Sequence, residues 1–245
     1  MVAALTHLLN FLYPPECAAC GRKFGLDSDA RVCPSCLANI EPLPAPLCAV
    51  CGGPVEAATG ADARCARCID SPPRFRRAQS IARYRPSAED DPASLPALIR
   101  RHKYGLDQSV GRALAEYLGP HLPVARDDLD MVVPVPLHRS RLWWRGFNQA
   151  ALLAAEVASR LDLPLDAGVL RRVRATNPQT YRHHDERLRN VRKAFRAPHP
   201  GRVAGKCILL VDDVMTTGAT AEECAGTLLD AGAKAVDVFT LARVL

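Results

Sequence analysis

The run from Ile208 to Thr220, Ile-Leu-Leu-Val-Asp-Asp-Val-Met-Thr-Thr-Gly-Ala-Thr, constrains the fold more than any other part of this chain. Ile208 to Val211 are apolar without alternation, the pattern of a parallel strand covered on both faces. Asp212 and Asp213 stand where that strand ends. Thr216, Thr217, Gly218, Ala219 and Thr220 then form a small, hydroxyl-rich turn into a helical run over 221–231. A helix N-terminus directs backbone N–H groups and partial positive charge outward, which suits a phosphate. Acids directly before such a cradle would repel a bare anion. They fit if they accept hydrogen bonds from sugar hydroxyls or face a Mg²⁺ ion beside the phosphate. The implied ligand is a sugar phosphate, bound at the carboxyl end of a strand as in open α/β sheets.

The same run resembles the phosphoribosyl-pyrophosphate (PRPP) signature of type I phosphoribosyltransferases: apolar strand, two acids, two apolar residues ending in Met215, then Thr-Thr-Gly-x-Thr. Every position of that pattern is filled. The resemblance implies that Asp212 and Asp213 are the catalytic acids and that Met215, Thr216, Thr217, Gly218, Ala219 and Thr220 form the PRPP loop.

Eight of the ten cysteines form four Cys-x-x-Cys pairs: Cys17/Cys20, Cys33/Cys36, Cys48/Cys51 and Cys65/Cys68. A two-residue gap lets both thiolates reach one tetrahedral ion, and two such pairs close a structural Zn²⁺ site. Gly21 and Gly52 follow the first and third pairs, so the pattern repeats with a period near thirty. Two successive zinc ribbons are the simplest arrangement; a cross-braced one, first pair with third and second with fourth, satisfies the spacing too. Disulfides are disfavoured, because the apolar start of the chain lacks a basic leader and a cleavage site. Leu5, Leu8, Leu9 and Leu12 instead fit one face of a short helix. Ser71-Pro72-Pro73 divides the chain into a cysteine module over 1–73 and an α/β domain over 74–245. Chelation is expected to unfold 16–70 without melting the α/β part. Cys207 and Cys224 read as buried thiols.

Beyond that boundary the expected elements are a strand over 78–84, helices over 95–104 and 109–122, and a strand at 131–136. A polar loop over 137–149 follows, then a helix over 150–161 capped by Asn148. A further strand is expected over 168–173 and a last one over 235–241. The loop carries Arg139, Arg141, Arg145 and Gly146 after a strand, and guanidinium forks match pyrophosphate oxygens. Packing of these arginines on Trp143 and Trp144 is the alternative. Lys103, at a helix end, either brings an ammonium to the ligand or is solvated. No apolar run reaches the roughly 18 residues needed to cross a membrane. The charge is uneven: 171–206 holds eleven Lys or Arg against Asp185 and Glu186, a local +9 in a chain of +6. Such a segment needs an anionic partner or full solvation, and it reads as a basic lid over 174–195 or a solvated helix.

Taken together, the cysteine pairs, Lys103-Tyr104-Gly105, Val133-Pro134-Val135-Pro136-Leu137 with Arg145-Gly146-Phe147-Asn148-Gln149, Thr176…Gln179…Arg187…Asn190 and the 208–220 run resemble the ComF family. These are phosphoribosyltransferase-like proteins associated with DNA uptake in competent bacteria. The resemblance implies a type I phosphoribosyltransferase fold, a parallel-sheet core flanked by helices, with an N-terminal zinc module. It also implies a cytoplasmic protein that handles incoming single-stranded DNA. The Thr176-to-Asn190 piece is similar to the flexible loop of amidophosphoribosyltransferases, which places Gln179 and Arg187 over PRPP. Nothing corresponds to the glutaminase domain of those enzymes. The expected function is transfer from Mg²⁺-bound PRPP to an unidentified acceptor. The alternative is a non-catalytic PRPP-sensing or single-stranded-DNA-handling adaptor that docks a competence helicase or recombination mediator, with Tyr181 as a stacking platform.

Overall fold

The computed structural model describes residues 11, 14–25, 28, 30–55, 62–86, 91–104, 108–175 and 191–245. The helix expected around Leu5–Leu12, most of the 174–195 segment, and Gln179, Tyr181 and Arg187 lie outside the described residues.

Four parallel strands form the central sheet: β1 (Arg77–Tyr84), β2 (Met131–Pro134), β5 (Cys207–Met215) and β6 (Ala235–Val244), in the order β1-β6-β5-β2. Burial follows the pleat. Leu209 and Val211 share one core with Leu98 of α3 (Leu95–Tyr104), Leu114 of α4 (Gln108–His121) and Leu153 of α6 (Gln149–Leu161). Ile208 and Leu210 share the opposite core with Cys224, Ala225 and Leu228 of α7 (Ala219–Asp230). Helices therefore cover both faces, which explains the unbroken apolar run of β5. Ser94 starts α3, its hydroxyl accepting from the Ala97 N–H at 3.2 Å. Gly111 lets α4 close on α3, since a Cβ there would stand 2.2 Å from the buried His102 ring.

Two expectations change. The 137–149 stretch is not a loop throughout: α5 (Arg139–Arg145) forms within it, capped by the His138 ring at one end and by Gly146, with φ of 75°, at the other. Three basic residues in seven hid its short period, while the caps supply its boundaries. The strand expected over 168–173 shrinks to β3 (Arg171–Arg172), paired antiparallel with β4 (Phe195–Arg196) outside the central sheet. Val169 and Leu170 are buried by packing on the α7 face rather than by a place in the sheet.

The eight paired cysteines form two clusters, Cys17/Cys20/Cys33/Cys36 and Cys48/Cys51/Cys65/Cys68, so successive pairs join and the cross-braced arrangement is not adopted. The two ribbons repeat one another closely. Gly21 and Gly52 have φ of 72° and 68°. Cys33 and Cys65 precede the short helices α1 (Pro34–Ala38) and α2 (Ala66–Asp70), and their N–H groups donate to Cys17 Sγ and Cys48 Sγ at 3.2 and 3.3 Å. Both ribbons lie along the free edge of β1. Leu43 donates to the Ile81 carbonyl and Arg83 to that of Glu41, at 3.3 and 2.8 Å. The Ala78 N–H donates to Val50 at 2.7 Å, where a Cβ on Gly52 would be 2.5 Å from the Ala78 carbonyl oxygen. The edge is thereby shielded from pairing with other chains. Moreover, Cys17, Val32, Cys33, Cys36 and Ile40 belong to the same apolar core as Leu98, Leu114 and Leu153. The first ribbon borrows the core of the α/β layer.

Candidate functional site

Strand β5 extends through both acids and ends at Met215, so Asp212 and Asp213 are strand residues pointing to opposite faces. Asp213 lies on the α3 face, 8% exposed, and its Oδ2 meets Lys103 Nζ at 2.7 Å. The ammonium expected at the ligand site is thus held by one of the two acids. Asp212 lies on the α7 face, with the Arg172 guanidinium and Cys224 in its surroundings. Its carboxyl is pushed up to about 7, first by burial and second by the charge of Asp213, against the Asp213 N–H and Lys103. Burial of Cys224 and the nearby Asp212 charge push that thiol well up, so it is inert.

The turn after β5 is short. Gly218, with φ of 82°, precedes α7 in a left-handed conformation that a side chain would strain, and a Cβ there would also stand 2.8 Å from Met215 Cε. Thr217 Oγ1 accepts from the Ala219 N–H at 3.4 Å. Thr216 is exposed and Thr220 half-buried. Because β2 and β5 are parallel neighbours, with the Val135 N–H donating to Val211 at 2.8 Å, the segment after β2 opens beside the same turn. Arg139 is exposed at the start of α5, and Arg141 lies near Arg172.

Not every expected residue converges there. Arg145 is buried, and its Nη1 donates to Gln149 Oε1 at 3.2 Å, inside the start of α6. Gly146 serves as the helix stop. Trp143 and Trp144 are 89% and 60% exposed, outside the buried core. Two residues at the site carry no sequence signal. Arg172, half-buried, holds its guanidinium 5.3 Å from the Phe195 ring centroid, and burial followed by Arg141 lowers its proton affinity. Arg67, between Cys65 and Cys68, donates from Nη1 to the Thr217 carbonyl at 2.9 Å. Arg172 is one cation among many in its segment, and Arg67 fills one of the two positions between Cys65 and Cys68.

Both cysteine clusters fit zinc. A tetrahedral ion with Zn–S bonds near 2.3 Å places sulfurs roughly 3.8 Å apart. The Sγ separations are 3.9 Å for Cys17–Cys36, 3.7 Å for Cys20–Cys33 and 3.7 Å for Cys51–Cys65. The Cys33 thiol is lowered to about 6, foremost by the Cys36 backbone N–H. Burial opposes ionisation of Cys48, but the N–H groups of Cys51, Cys65 and Val50 outweigh it and lower that thiol to about 6 as well. Burial pushes the Cys36, Cys51 and Cys68 thiols up, so the charge of a bound cation would be needed to ionise them beside these neighbours.

Among the described residues no helix is long and apolar enough to cross a membrane. The double zinc ribbon domain model matches residues 8–69, and the phosphoribosyl transferase domain model matches 148–245. The DNA utilization protein YhgH of Escherichia coli K12 is 37% identical, covering 81% of this chain and 85% of its own length. Competence protein F of Haemophilus influenzae is 30% identical over 86% of this chain and 90% of its own. Competence protein ComFC of Bacillus subtilis is 30% identical over 90% and 87%. Two four-cysteine clusters, a parallel sheet ending in paired acids and these relatives agree: the chain belongs to the ComF family, in which a double zinc ribbon is joined to a domain of the type I phosphoribosyltransferase fold.

Proposed function

We propose that the site at the carboxyl ends of β2 and β5 binds PRPP with Mg²⁺, and that the protein transfers its phosphoribosyl group during the handling of incoming DNA in the cytoplasm. The observation that carries this reading is the convergence of Asp212, Asp213 and Lys103 with the Gly218-capped start of α7. Asp212 and Asp213 accept hydrogen bonds from the ribose hydroxyls and stabilise positive charge growing on the sugar. The N–H groups and hydroxyls of 216–220 hold the 5-phosphate. Arg139 and Arg141 face the pyrophosphate, whereas Arg145 acts from within by fixing the start of α6. The carboxylates at the strand end are hard oxygen donors that suit Mg²⁺, which when bound neutralises charge on the leaving pyrophosphate. In this reading Gln179 and Arg187, outside the described residues, would bind PRPP as well. In this division residues 1–73 form the zinc module and 74–245 the transferase-like domain.

A second reading is a PRPP-sensing adaptor without transfer, in which single-stranded DNA stacks on Trp143 and Trp144 of α5. Their exposure beside Arg139 favours it. A helicase or recombination mediator would be its protein partner. Calorimetric titration of PRPP with Mg²⁺, followed by pyrophosphate release with candidate acceptors including single-stranded DNA, separates the two. Binding with acceptor-dependent release supports transfer, and binding without release under every acceptor supports the adaptor. Asp212→Asn combined with Asp213→Asn removes binding while leaving the circular-dichroism spectrum unchanged; unaltered affinity refutes the site.

A further inference from the structure

Building on the sugar-phosphate reading of the 216–220 turn, we infer that Arg67 is a positioning residue for the phosphate. From inside the second zinc knuckle it fixes the Thr217–Gly218 peptide and links metal in that ribbon to ligand affinity. A trans peptide sets its C=O and N–H in opposite directions. Arg67 Nη1 holds the Thr217 oxygen at 2.9 Å on the ribbon side, so the Gly218 N–H is turned to the other side of the loop. Gly218 directly precedes α7, whose first N–H groups have no partner within the helix. At φ of 82° it leaves this peptide plane with little restraint of its own. An arginine of fixed fork geometry is a suitable brace.

The position of Arg67 is tied to the metal. It is the third residue of Cys65-Ala66-Arg67-Cys68, so closing the thiols on one ion sets the short helix that carries it. A second tie joins the same ribbon to the same loop. Arg243, buried at the end of β6, donates from Nη1 to the Cys51 carbonyl at 2.7 Å and to Met215 Sδ at 3.0 Å. Met215 in turn packs against Gly218. The ribbon therefore grips the turn at Thr217 and at Met215. Among the described residues the first ribbon offers no equivalent: Ser35 occupies the place of Arg67 and accepts a local hydrogen bond from Arg22, at 3.3 Å.

The test separates the two ends of the ligand. Ribose 5-phosphate and magnesium pyrophosphate are titrated calorimetrically, each against the wild type, Arg67→Ala and Arg67→Lys, with zinc content measured on every sample. Arg67→Ala is expected to weaken ribose 5-phosphate about tenfold, or about 1.4 kcal/mol, with pyrophosphate affinity and zinc content unchanged. Arg67→Lys, which still offers a donor, recovers most of the loss. Coupling is reciprocal, so saturating ribose 5-phosphate raises the apparent zinc affinity of the wild type in a competition with a chelator, and does not do so in Arg67→Ala. Equal ribose 5-phosphate affinity in wild type and Arg67→Ala overturns the inference alone. So does a parallel fall for both ligands or a loss of zinc, which marks a general structural role. A wild type that binds pyrophosphate and not ribose 5-phosphate overturns the reading of the turn itself, and the inference with it.

Discussion

Replacing Asp212 with Asn should make the folded protein more stable at alkaline pH and leave it unchanged in acid. The Asp212 carboxyl rises from an ordinary 3.8 to about 7, first through burial and then through the neighbouring Asp213 charge. In a carboxyl whose folded value is raised, the folded state holds its proton while the unfolded chain has released it. The resulting penalty is absent below pH 4, grows between pH 4 and 7, and is complete above. A shift of this size corresponds to about 4 kcal/mol. Because Asp212 is half-buried and solvent offsets part of the cost, about 2–3 kcal/mol is the expected effect, or about 5–10 °C in melting temperature for a chain of this length. Asn keeps the oxygen that accepts from the Asp213 N–H at 2.9 Å, so the substitution removes charge and little else. Asp213→Asn should not stabilise, because it also strands the ammonium of Lys103, now 2.7 Å from the carboxylate. Melting curves of wild type and both variants from pH 4 to pH 9 give the answer. Wild-type and Asp212→Asn melting temperatures that stay parallel across that range would refute the reasoning.

Asp237 is 2% exposed and accepts from Arg76 Nε and Nη2 at 2.8 and 2.9 Å and from Arg77 Nε at 2.8 Å. Asp237→Asn is expected to cost about 2–4 kcal/mol, since half-exposed arginines recover some hydration; urea midpoints should fall at constant slope, and an unchanged midpoint contradicts this. Zinc removal should melt the first ribbon and the sheet together, because Cys17, Cys33, Cys36 and Ile40 share a core with the α/β layer; two separate transitions in circular dichroism would show the opposite. Gly218→Ala should cost about 1–2 kcal/mol through its positive φ and the Met215 contact, and should abolish ribose 5-phosphate binding; retained binding by calorimetry refutes the need for glycine.

Strand β5 was legible because a buried parallel strand has only apolar side chains to choose from, and α6 because Asn148 caps it and Leu153, Val157 and Leu161 keep one face. The cysteine spacing gave the metal clusters, although only the fold decides that successive pairs join. What stayed hidden depends on distance in space. Nothing in Cys65-Ala66-Arg67-Cys68 says that its arginine reaches a carbonyl 150 residues away. The opposite facing of Asp212 and Asp213 follows from the pleat once β5 is known to continue to Met215, and an apolar run that ends at Val211 does not show that continuation. The contact between the first ribbon and the α/β layer was hidden for a similar reason: Val32 and Ile40 are too few to announce a core, and they share one built elsewhere.

The chain has two tryptophans, and both sit on the outer surface of α5. Its intrinsic indole fluorescence therefore comes from one seven-residue helix. Since these indoles already face water in the folded protein, emission wavelength will report unfolding poorly. Anything that settles over α5, whether a base or a partner's side chain, will shift the emission to the blue or quench it. The protein thus carries a built-in optical reporter for events at α5, and its folding is better followed by ellipticity.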